Sequence, residues 1–190
     1  MINYMQEMLY KMKIIQAVSF IRKLKIYFLY LSAFPKCERK PFSTILKMQK
    51  NGKTDLWYAK KNGRFAGFGT TINGSDIVLL DYFAIAKNRR GKGIGSQMLS
   101  ELRNLYPGKG FFLEIEKVYP DAQNFEETSR RKQFYLSNGM KEMGTDAKLF
   151  GVDMELLGFD CQLSFDEYRD FYRTNYGEFA AENIRHITSE

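Results

Sequence analysis

Residues 80–99 constrain the fold of this chain more than any other stretch of its sequence. A β-prone apolar run that ends at Ile85 is followed by a turn rich in glycine and basic residues, which leads directly into an amphipathic helical pattern. The first turn of a helix presents main-chain N–H groups without partners and the positive end of the helix dipole. Glycine lets a bulky anion approach those groups, and Lys or Arg adds full positive charge. The stretch therefore predicts a phosphate-binding strand–turn–helix unit.

The spacing of the glycines excludes two common phosphate-binding motifs. A dinucleotide-binding fingerprint requires G-x-G-x-x-G, whereas here Gly91 and Gly93 are followed by Ser96. A P-loop requires G-x-x-x-x-G-K-[ST], and no window of this stretch supplies it. The motif present is Arg90-x-x-Gly93-x-Gly95. A basic, glycine-rich turn that binds no ligand is the alternative interpretation.

Hydrophobic periodicity predicts a strand, two helices and three strands before this turn. The first helix ends at residue 33, because Pro35 forces Phe34 out of the α region. Two Asn-Gly pairs, at 62–63 and 73–74, lie between β-prone runs and predict hairpin turns whose central residues adopt positive φ. The predicted segments are 13–17, 20–33, 41–50, 56–60, 64–72 and 76–86.

The predicted helix over 20–33 has an apolar face at helical spacing. Its basic residues Arg22, Lys23 and Lys25 lie mainly on the other side. The apolar face consists of Phe20, Ile21, Leu24, Tyr27, Phe28 and Leu31.

After the turn, the pattern predicts helix, strand, helix, strand and a last helix. The strand over 111–118 is reached through a helix, so it runs parallel to the strand before the turn. Asn138-Gly139 predicts the end of one helix, and Ser164-x-x-Glu167 is a capping box that starts the last one. The predicted segments are 94–105, 111–118, 128–137, 150–156 and a helix from 164. The order predicts a mixed α/β fold whose sheet is mostly antiparallel, with one parallel pair and flanking helices.

The strand Phe83-Ala84-Ile85, the motif Arg90-x-x-Gly93-x-Gly95 and the order of elements over about 13–156 resemble the GNAT superfamily of N-acetyltransferases. This resemblance implies a central sheet in which one parallel strand pair is splayed, and acetyl-CoA as the acyl donor. It also implies which residues contact coenzyme A. Main-chain groups of Phe83, Ala84 and Ile85 would pair with the pantetheine arm. The pyrophosphate would be surrounded by Arg90, Gly91, Lys92, Gly93, Ile94 and Gly95, with Ile94 contributing its N–H while its side chain points into the core.

Acetyl transfer to an amine requires a group that removes a proton from the ammonium. Glu114 and Glu116 are alternate residues of one predicted strand, so they lie on one face of it. Partial burial there would raise the pKa of a carboxylate toward the range of a general base. Glu114 is the preferred candidate, and a solvated face, a pairing with a nearby lysine, or a water relay is the alternative.

The segment Phe134-Tyr135-Leu136-Ser137-Asn138-Gly139-Met140 resembles the GNAT F-Y-x-x-x-G-F pattern, whose tyrosine often protonates departing coenzyme A. Tyr135 matches that position, and a phenol with an ordinary pKa of about 10 is protonated at neutral pH. A role in the core is the alternative. The chain also departs from the family, because Thr128 and Arg131 stand where many relatives have Asn and Ala. Arg131 is therefore a candidate phosphate contact.

Composition limits the classes of ligand and the cellular location that we expect for this chain. The net charge of +7 suits the phosphates of coenzyme A, but it also suits nucleic acid or a membrane surface. The two cysteines, Cys37 and Cys161, are far apart, so neither a disulfide framework nor a metal site is predicted, and a cytoplasmic location is expected. No apolar run approaches the length of a membrane span, and we expect no membrane partner.

The sequence predicts an N-terminal extension over 1–12 and one domain over 13–190. The favoured function is that of an enzyme, an N-acetyltransferase that uses acetyl-CoA on a primary amine of a small molecule or peptide. An acyl-CoA-binding protein of the same fold without catalytic activity is the main alternative. Nucleic-acid binding ranks lowest, because the basic residues lie where a diphosphate needs them. A homodimer is left open.

Overall fold

A computed structural model describes residues 12–187, and these form eight β-strands and six α-helices. They divide into two compact units. The first contains residues up to Asn73 together with Leu80–Pro107, and the second contains Gly74–Leu79 and the residues from Gly108 onward. Of the predicted extension over 1–12, residues 1–11 lie outside the described residues, and Met12 is buried. One domain over 13–190 stays a prediction.

The first unit contains the elements predicted before and around the glycine turn. Its strands are hydrogen-bonded in the order β1-β2-β3-β4, with β1 and β3 antiparallel to β2. The elements are β1 (Lys13–Gln16), α1 (Phe20–Ala33), α2 (Phe42–Lys50), β2 (Thr54–Lys61), β3 (Arg64–Asn73), β4 (Ile77–Ile85, whose first three residues belong to the second unit) and α3 (Ile94–Asn104).

Helix α1 has the predicted bounds, but the face that packs on the sheet is not the apolar face defined by sequence spacing. Ile26 and Tyr30 are buried and join Phe68 and Tyr82 in one hydrophobic cluster. The rings of Tyr30 and Tyr82 meet edge-to-face with their centroids 4.9 Å apart. All six residues of the spaced apolar face are at least 36% exposed. The helix is therefore apolar on two sides, and periodicity alone did not identify which side forms the core.

The two predicted Asn-Gly turns have different outcomes. Between β2 and β3, Asn62 and Gly63 have φ of 54° and 72°, which confirms the first hairpin turn. At the second pair, neither Asn73 nor Gly74 has positive φ, so that predicted turn type is wrong. Gly74 is instead required by close packing, because a Cβ there would lie 2.9 Å from the carbonyl oxygen of Ile77.

The second unit contains the remaining strands and helices. They are β5 (Gly110–Glu116), α4 (Phe125–Ser137), β6 (Lys141–Leu149), β7 (Val152–Phe159), α5 (Phe165–Tyr176), α6 (Glu178–Glu182) and β8 (Ile184–His186). The strand order is β4-β5-β7-β6-β8, and all ladders except the first are antiparallel. The predicted capping box at the start of α5 is confirmed, since Ser164 and Glu167 bond reciprocally.

Two predictions for the second unit are corrected by the structure, and three of its elements, β6, α6 and β8, were not predicted. The strand predicted over 150–156 begins instead at Val152, because Phe150 and Gly151 form the turn after β6 with φ of 47° and 89°. Helix α4 begins at Phe125, one turn before the predicted start at Thr128.

The parallel ladder takes in three residues of each strand. Ile77, Val78 and Leu79 pair with Gly110, Phe111 and Phe112, and β4 enters the ladder only at this beginning. The predicted mixed α/β fold, mostly antiparallel with one parallel pair, is confirmed.

Candidate functional site

The turn between β4 and α3 has the backbone that its glycines predict. A short 3₁₀ turn over Lys87–Arg89 is followed by Gly91 and Gly93, whose φ values are 70° and 67°. An L-residue pays a steric penalty in this left-handed region, whereas glycine does not. A Cβ at either glycine would have nothing within 4 Å, so open space borders the main chain at both positions. The turn therefore leaves room beside its backbone for a ligand.

The N-terminus of α3 has no side-chain cap, as at every described helix except α5. Gly93 is its N-cap residue, with no side-chain hydrogen bond and no acidic residue in the first turn. Helix α5, in contrast, begins with the Ser164 capping box and two acidic residues. Four basic residues precede α3, namely Lys87, Arg89, Arg90 and Lys92. Unpaired N–H groups, the helix dipole and these charges together favour an anion at this helix end.

Within α3, Ile94 and Gly95 differ in burial. The Ile94 side chain is only 6% exposed, so it points into the core as predicted and can offer a ligand its main-chain N–H. Gly95 is half-buried in the first turn of the helix, and Lys92 is exposed before it.

The end of β4 directs its main-chain groups alternately to its two edges. Ala84 faces β3, because a Cβ at Gly67 would lie 2.4 Å from its carbonyl oxygen. Phe83 and Ile85 therefore direct their main-chain groups to the opposite edge. There Arg90 donates from Nε to the Ile85 carbonyl oxygen at 3.0 Å, which ties the basic turn to the end of the strand.

Glu114 of β5 is bound by two tyrosine hydroxyls from α5, a contact that the sequence analysis missed. The Tyr168 hydroxyl donates to Oε1 at 2.8 Å. The Tyr172 hydroxyl lies 2.8 Å from Oε1 and 2.9 Å from Oε2. Both tyrosines are buried, while Glu114 is half-buried. The i, i+4 spacing of these tyrosines on one helix face was the available signal.

The same face of β5 carries Phe112 and Glu116. Phe112 packs edge-to-face on Phe171 of α5, with ring centroids 5.3 Å apart. Glu116 accepts a hydrogen bond of 2.9 Å from the Asn124 side chain in the loop before α4. Helix α5 therefore covers the part of this face near Glu114, and Glu116 is engaged by the loop.

Tyr135 lies near the end of α4 and is 8% exposed. Burial raises the pKa of Tyr135 to about 12, against a smaller lowering by the charge of Arg131. The helix ends as predicted, since Gly139 follows the cap residue Asn138 with φ of 90°. A phenol in this environment is protonated over the whole physiological pH range.

Ion pairs attach α4 to strands β6 and β7 of the second unit. Lys132 lies 2.6 Å from Glu155 of β7 and 2.9 Å from Glu142 of β6. Burial raises the pKa of Glu155, and Lys132 partly offsets this. Lys132 precedes Tyr135 by three residues, so the pair fixes the part of α4 that carries the phenol. Sequence reasoning did not identify this anchor, because its members come from three separate elements.

The two departures from the family pattern lie on α4. The Thr128 hydroxyl donates to carbonyl oxygens of the preceding turn, at 3.2 Å from both Asn124 and Phe125. Arg131 forms an exposed i, i+4 ion pair of 3.0 Å with Glu127. Surface pairs of this kind contribute little stability, so Arg131 can be recruited by a stronger anion at small cost.

Each unit thus brings together one part of the predicted site. The first unit joins the glycine turn, the α3 terminus and the end of β4. The second unit contains Glu114, Glu116, Arg131 and Tyr135.

Residues 52–142 match the family model of the acetyltransferase (GNAT) domain. This segment includes β4, the glycine turn, α3, Glu114 and Tyr135. Comparison of the sequence with curated proteins gives no match.

Solved structures share the fold at low sequence identity. A Bacteroides thetaiotaomicron protein assigned to the GNAT acetyltransferase family is 17% identical, with a TM-score of 0.74 over 88% of this chain and 99% of its own. The ribosomal-protein-S18-alanine N-acetyltransferase of Escherichia coli is 17% identical, with a TM-score of 0.60 over 80% and 96%. An aminoglycoside 6′-N-acetyltransferase complexed with coenzyme A is 14% identical, with a TM-score of 0.61 over 78% and 95%.

The family match covers the central elements of the chain, and the shared fold extends well beyond that segment to both sides. Residues 52–142 therefore match the acetyltransferase (GNAT) domain, and this match together with the shared fold indicates an enzyme of the acyltransferase class.

Proposed function

We propose that this chain transfers an acetyl group from acetyl-CoA to a primary amine of a small molecule or peptide, by direct attack of the amine in a ternary complex. The observation that carries the proposal is the uncapped, basic and glycine-lined N-terminus of α3. One structural neighbour is an N-acetyltransferase of a ribosomal-protein-S18 alanine, and another is an aminoglycoside N-acetyltransferase complexed with coenzyme A. Both acceptor classes are therefore kept.

The residues of the first unit fit a diphosphate. Open space borders Gly91 and Gly93, and the first turn of α3 contains no carboxylate that would repel an anion. Main-chain N–H groups from Gly91 to Gly95 would bind the phosphate oxygens, and Lys92 would add charge. Arg90 would border the same site while holding Ile85. Phe83, Ala84 and Ile85 would pair with the pantetheine arm, and Arg131 would contribute a further phosphate contact.

When bound, acetyl-CoA supplies the activated thioester carbonyl that the amine attacks. For that attack, the amine must first lose a proton. Glu114 is the proposed base, with Glu116 as the second candidate, because each is a half-buried carboxylate on β5. The Tyr168 and Tyr172 hydroxyls hold the Glu114 carboxylate in one orientation. Tyr135 is the proposed acid that protonates the departing thiolate, since its phenol is kept neutral by burial.

The first experiment tests cofactor binding and turnover together. At about 100 times its Kd, a ligand stabilises a folded protein by ~2.7 kcal/mol, which corresponds to a Tm increase of about 5–10 °C for a chain of this size. We expect such a shift with acetyl-CoA, and release of free thiol in the presence of an amine panel of peptides and aminoglycosides. An unchanged Tm would contradict the proposal. A shift without turnover on any amine would favour an acyl-CoA-binding protein without catalysis.

A second prediction concerns the hydroxyls around Glu114. Replacing Tyr172 with Phe removes a donor that stabilises the charged carboxylate over its protonated form. A hydrogen bond to a charged group contributes about 1.5–3 kcal/mol, so the acidic limb of the kcat/KM profile should move to higher pH by about one to two units. The measurement is a pH–rate profile from pH 5 to 9 (roughly the window of carboxylate and amine titration).

The control for this prediction is Tyr176→Phe, which alters the next tyrosine along α5. Its ring stacks on Tyr172 at 5.1 Å, so packing is disturbed in the same place while the donor to Glu114 is kept. The acidic limb of this control should coincide with that of the unsubstituted chain. Identical profiles for both variants would remove Glu114 from the role of base.

A further inference from the structure

The apolar stripe of α1 (Phe20, Ile21, Leu24, Tyr27, Phe28 and Leu31) is an unusual surface feature. Phe20 is 77% exposed, Ile21 66% and Phe28 61%, and Val18 just before the helix is 67% exposed. At 100° per residue, the six positions fall within an arc of about 120°. Exposed apolar side chains grouped on one helix face mark an interaction surface rather than the scattered apolar residues of an ordinary exterior.

The opposite side of α1 already satisfies the core. Ile26 and Tyr30 are fully buried against the sheet, and Leu29 and Ala33 pack beside them. The stripe is therefore not needed to attach the helix to the sheet. Phe20, Ile21 and Phe28 remain mostly in water, which is unfavourable unless another surface covers them. The other three side chains of the stripe are more than one third exposed, although Tyr27 also contacts Phe42 of α2.

The segment of the chain that carries the stripe is strongly basic. Residues 18–50, which include α1 and α2, contain eight Lys or Arg residues and a single acidic residue, Glu38. Their net charge of +7 equals the net charge of the entire chain. By helical projection Lys23 and Lys25 flank the stripe and only Arg22 lies opposite it, which corrects the expectation that all three lie mainly on the other side. Helix α1 contains no acidic residue. The excess positive charge of the protein is thus concentrated in the segment that exposes the stripe.

We infer that the stripe of α1 docks this protein on an anionic lipid surface. A helix with aromatic and aliphatic residues on one face and lysines along its borders lies in the membrane interface, with the apolar face inserted and the cations among the headgroups. The 14 residues of α1 extend about 21 Å, so the helix would lie flat. No helix within residues 12–187 is long and apolar enough to cross a membrane. The proposal concerns peripheral binding and revises our expectation of no membrane partner.

Other occupants fit these observations less well. Nucleic acid would use the positive charge but leaves the apolar stripe without a role. A second copy would bring two identical basic segments together, which costs electrostatic energy. The segment 1–11 of this chain is the remaining candidate, and it is joined to Met12, which lines a cleft with Ser96 and Gln97 of α3. Helix α3 packs on the side of β3 opposite α1, since Gly69 faces Leu102 whereas Phe68 faces Tyr30. Met12 therefore lies beside α3 and not beside the stripe of α1.

The test is co-sedimentation of the full chain with vesicles of phosphatidylcholine alone or with about 30% phosphatidylserine. We expect binding to the anionic vesicles, and weakening in about 0.5 M salt, where the Debye length shortens. The double variant Phe20→Ser and Phe28→Ser should lose at least about tenfold in partitioning. Lys23→Glu with Lys25→Glu should lose a similar factor on anionic vesicles. The control is Phe179→Ser, an equally exposed phenylalanine at 73% in the second unit, which should bind normally.

Light scattering on the same samples distinguishes the other occupants. A dimer that becomes monomeric in the Phe20→Ser and Phe28→Ser variant, without vesicle binding by the unsubstituted chain, would assign the stripe to a second copy. Vesicle binding that appears only after residues 1–11 are removed would assign it to that segment. Equal vesicle binding by the unsubstituted chain and the stripe variant would also overturn the inference. Acetyl-CoA binding should be unchanged in the stripe variant, so this test is independent of the proposed function.

Discussion

Replacing Gly93 with glutamate is expected to abolish acetyl-CoA binding while leaving the fold intact. The new side chain enters the open space beside the N-terminus of α3 and places a carboxylate where the diphosphate would lie. Each hydrogen bond to a charged group contributes about 1.5–3 kcal/mol, so losing two of them weakens binding about 100-fold or more. The measurement is calorimetric titration with acetyl-CoA and with coenzyme A.

The backbone cost of this substitution needs a matched control. Gly93 has a φ of 67°, and a residue with a side chain pays ~1 kcal/mol or somewhat more in that region. Gly52 has a φ of 72° in the turn after α2 and also has nothing within 4 Å of its Cβ position. Gly52→Glu therefore brings the same strain and the same charge to a site away from α3. It should lose similar stability and retain full cofactor affinity. If the Gly93→Glu variant bound acetyl-CoA as tightly as the unsubstituted chain, the turn would not be part of the cofactor site.

The second large effect is expected for Tyr135→Phe. A positioned general acid contributes about 100-fold or more to a rate, so kcat should fall by about that factor. Burial raises the pKa of Tyr135 to about 12, so the phenol is a proton donor at every pH at which activity would be measured. The acetyl-CoA Kd should hardly change, because the ring remains. The measurement is thiol release under saturating acetyl-CoA.

Tyr119→Phe provides the control for that experiment. Tyr119 is an exposed tyrosine of the same unit, and its hydroxyl donates to Asp153 at 2.9 Å. Its loss should leave kcat within about twofold, as for most exposed surface substitutions. If Tyr135→Phe retained full turnover, the thiolate would have another proton source, and Tyr135 would be a core residue only.

Local signals in the sequence predicted the elements well where one short motif sets the backbone. Pro35 ends α1, and Asn62-Gly63 forms the predicted hairpin. Ser164 with Glu167 starts α5. In each case the decisive interactions join residues within four positions of each other, so they depend little on the rest of the chain.

Elements that depend on distant partners were missed. Strand β6 contains several charged residues, and Gly144 interrupts it with φ of 71°. It has no regular apolar alternation to predict a strand, and its pairing with β7 and β8 decides its conformation. At Asn73-Gly74 the dipeptide favoured a tight turn, but packing beside Ile77 selected a different backbone.

For the candidate site, sequence alone determined the glycine turn, its positive charge and the helix that follows it, because these features lie within one continuous stretch. It also placed Glu114 and Glu116 on one face of a strand, since alternation is a property of the backbone. The contacts of Tyr168 and Tyr172 with Glu114 join residues 54 and 58 positions apart, so they follow from the folded chain and not from any local pattern. The tertiary structure also decided which side of α1 is buried, because a helix that is apolar on two sides can pack by either until the sheet beneath it selects one.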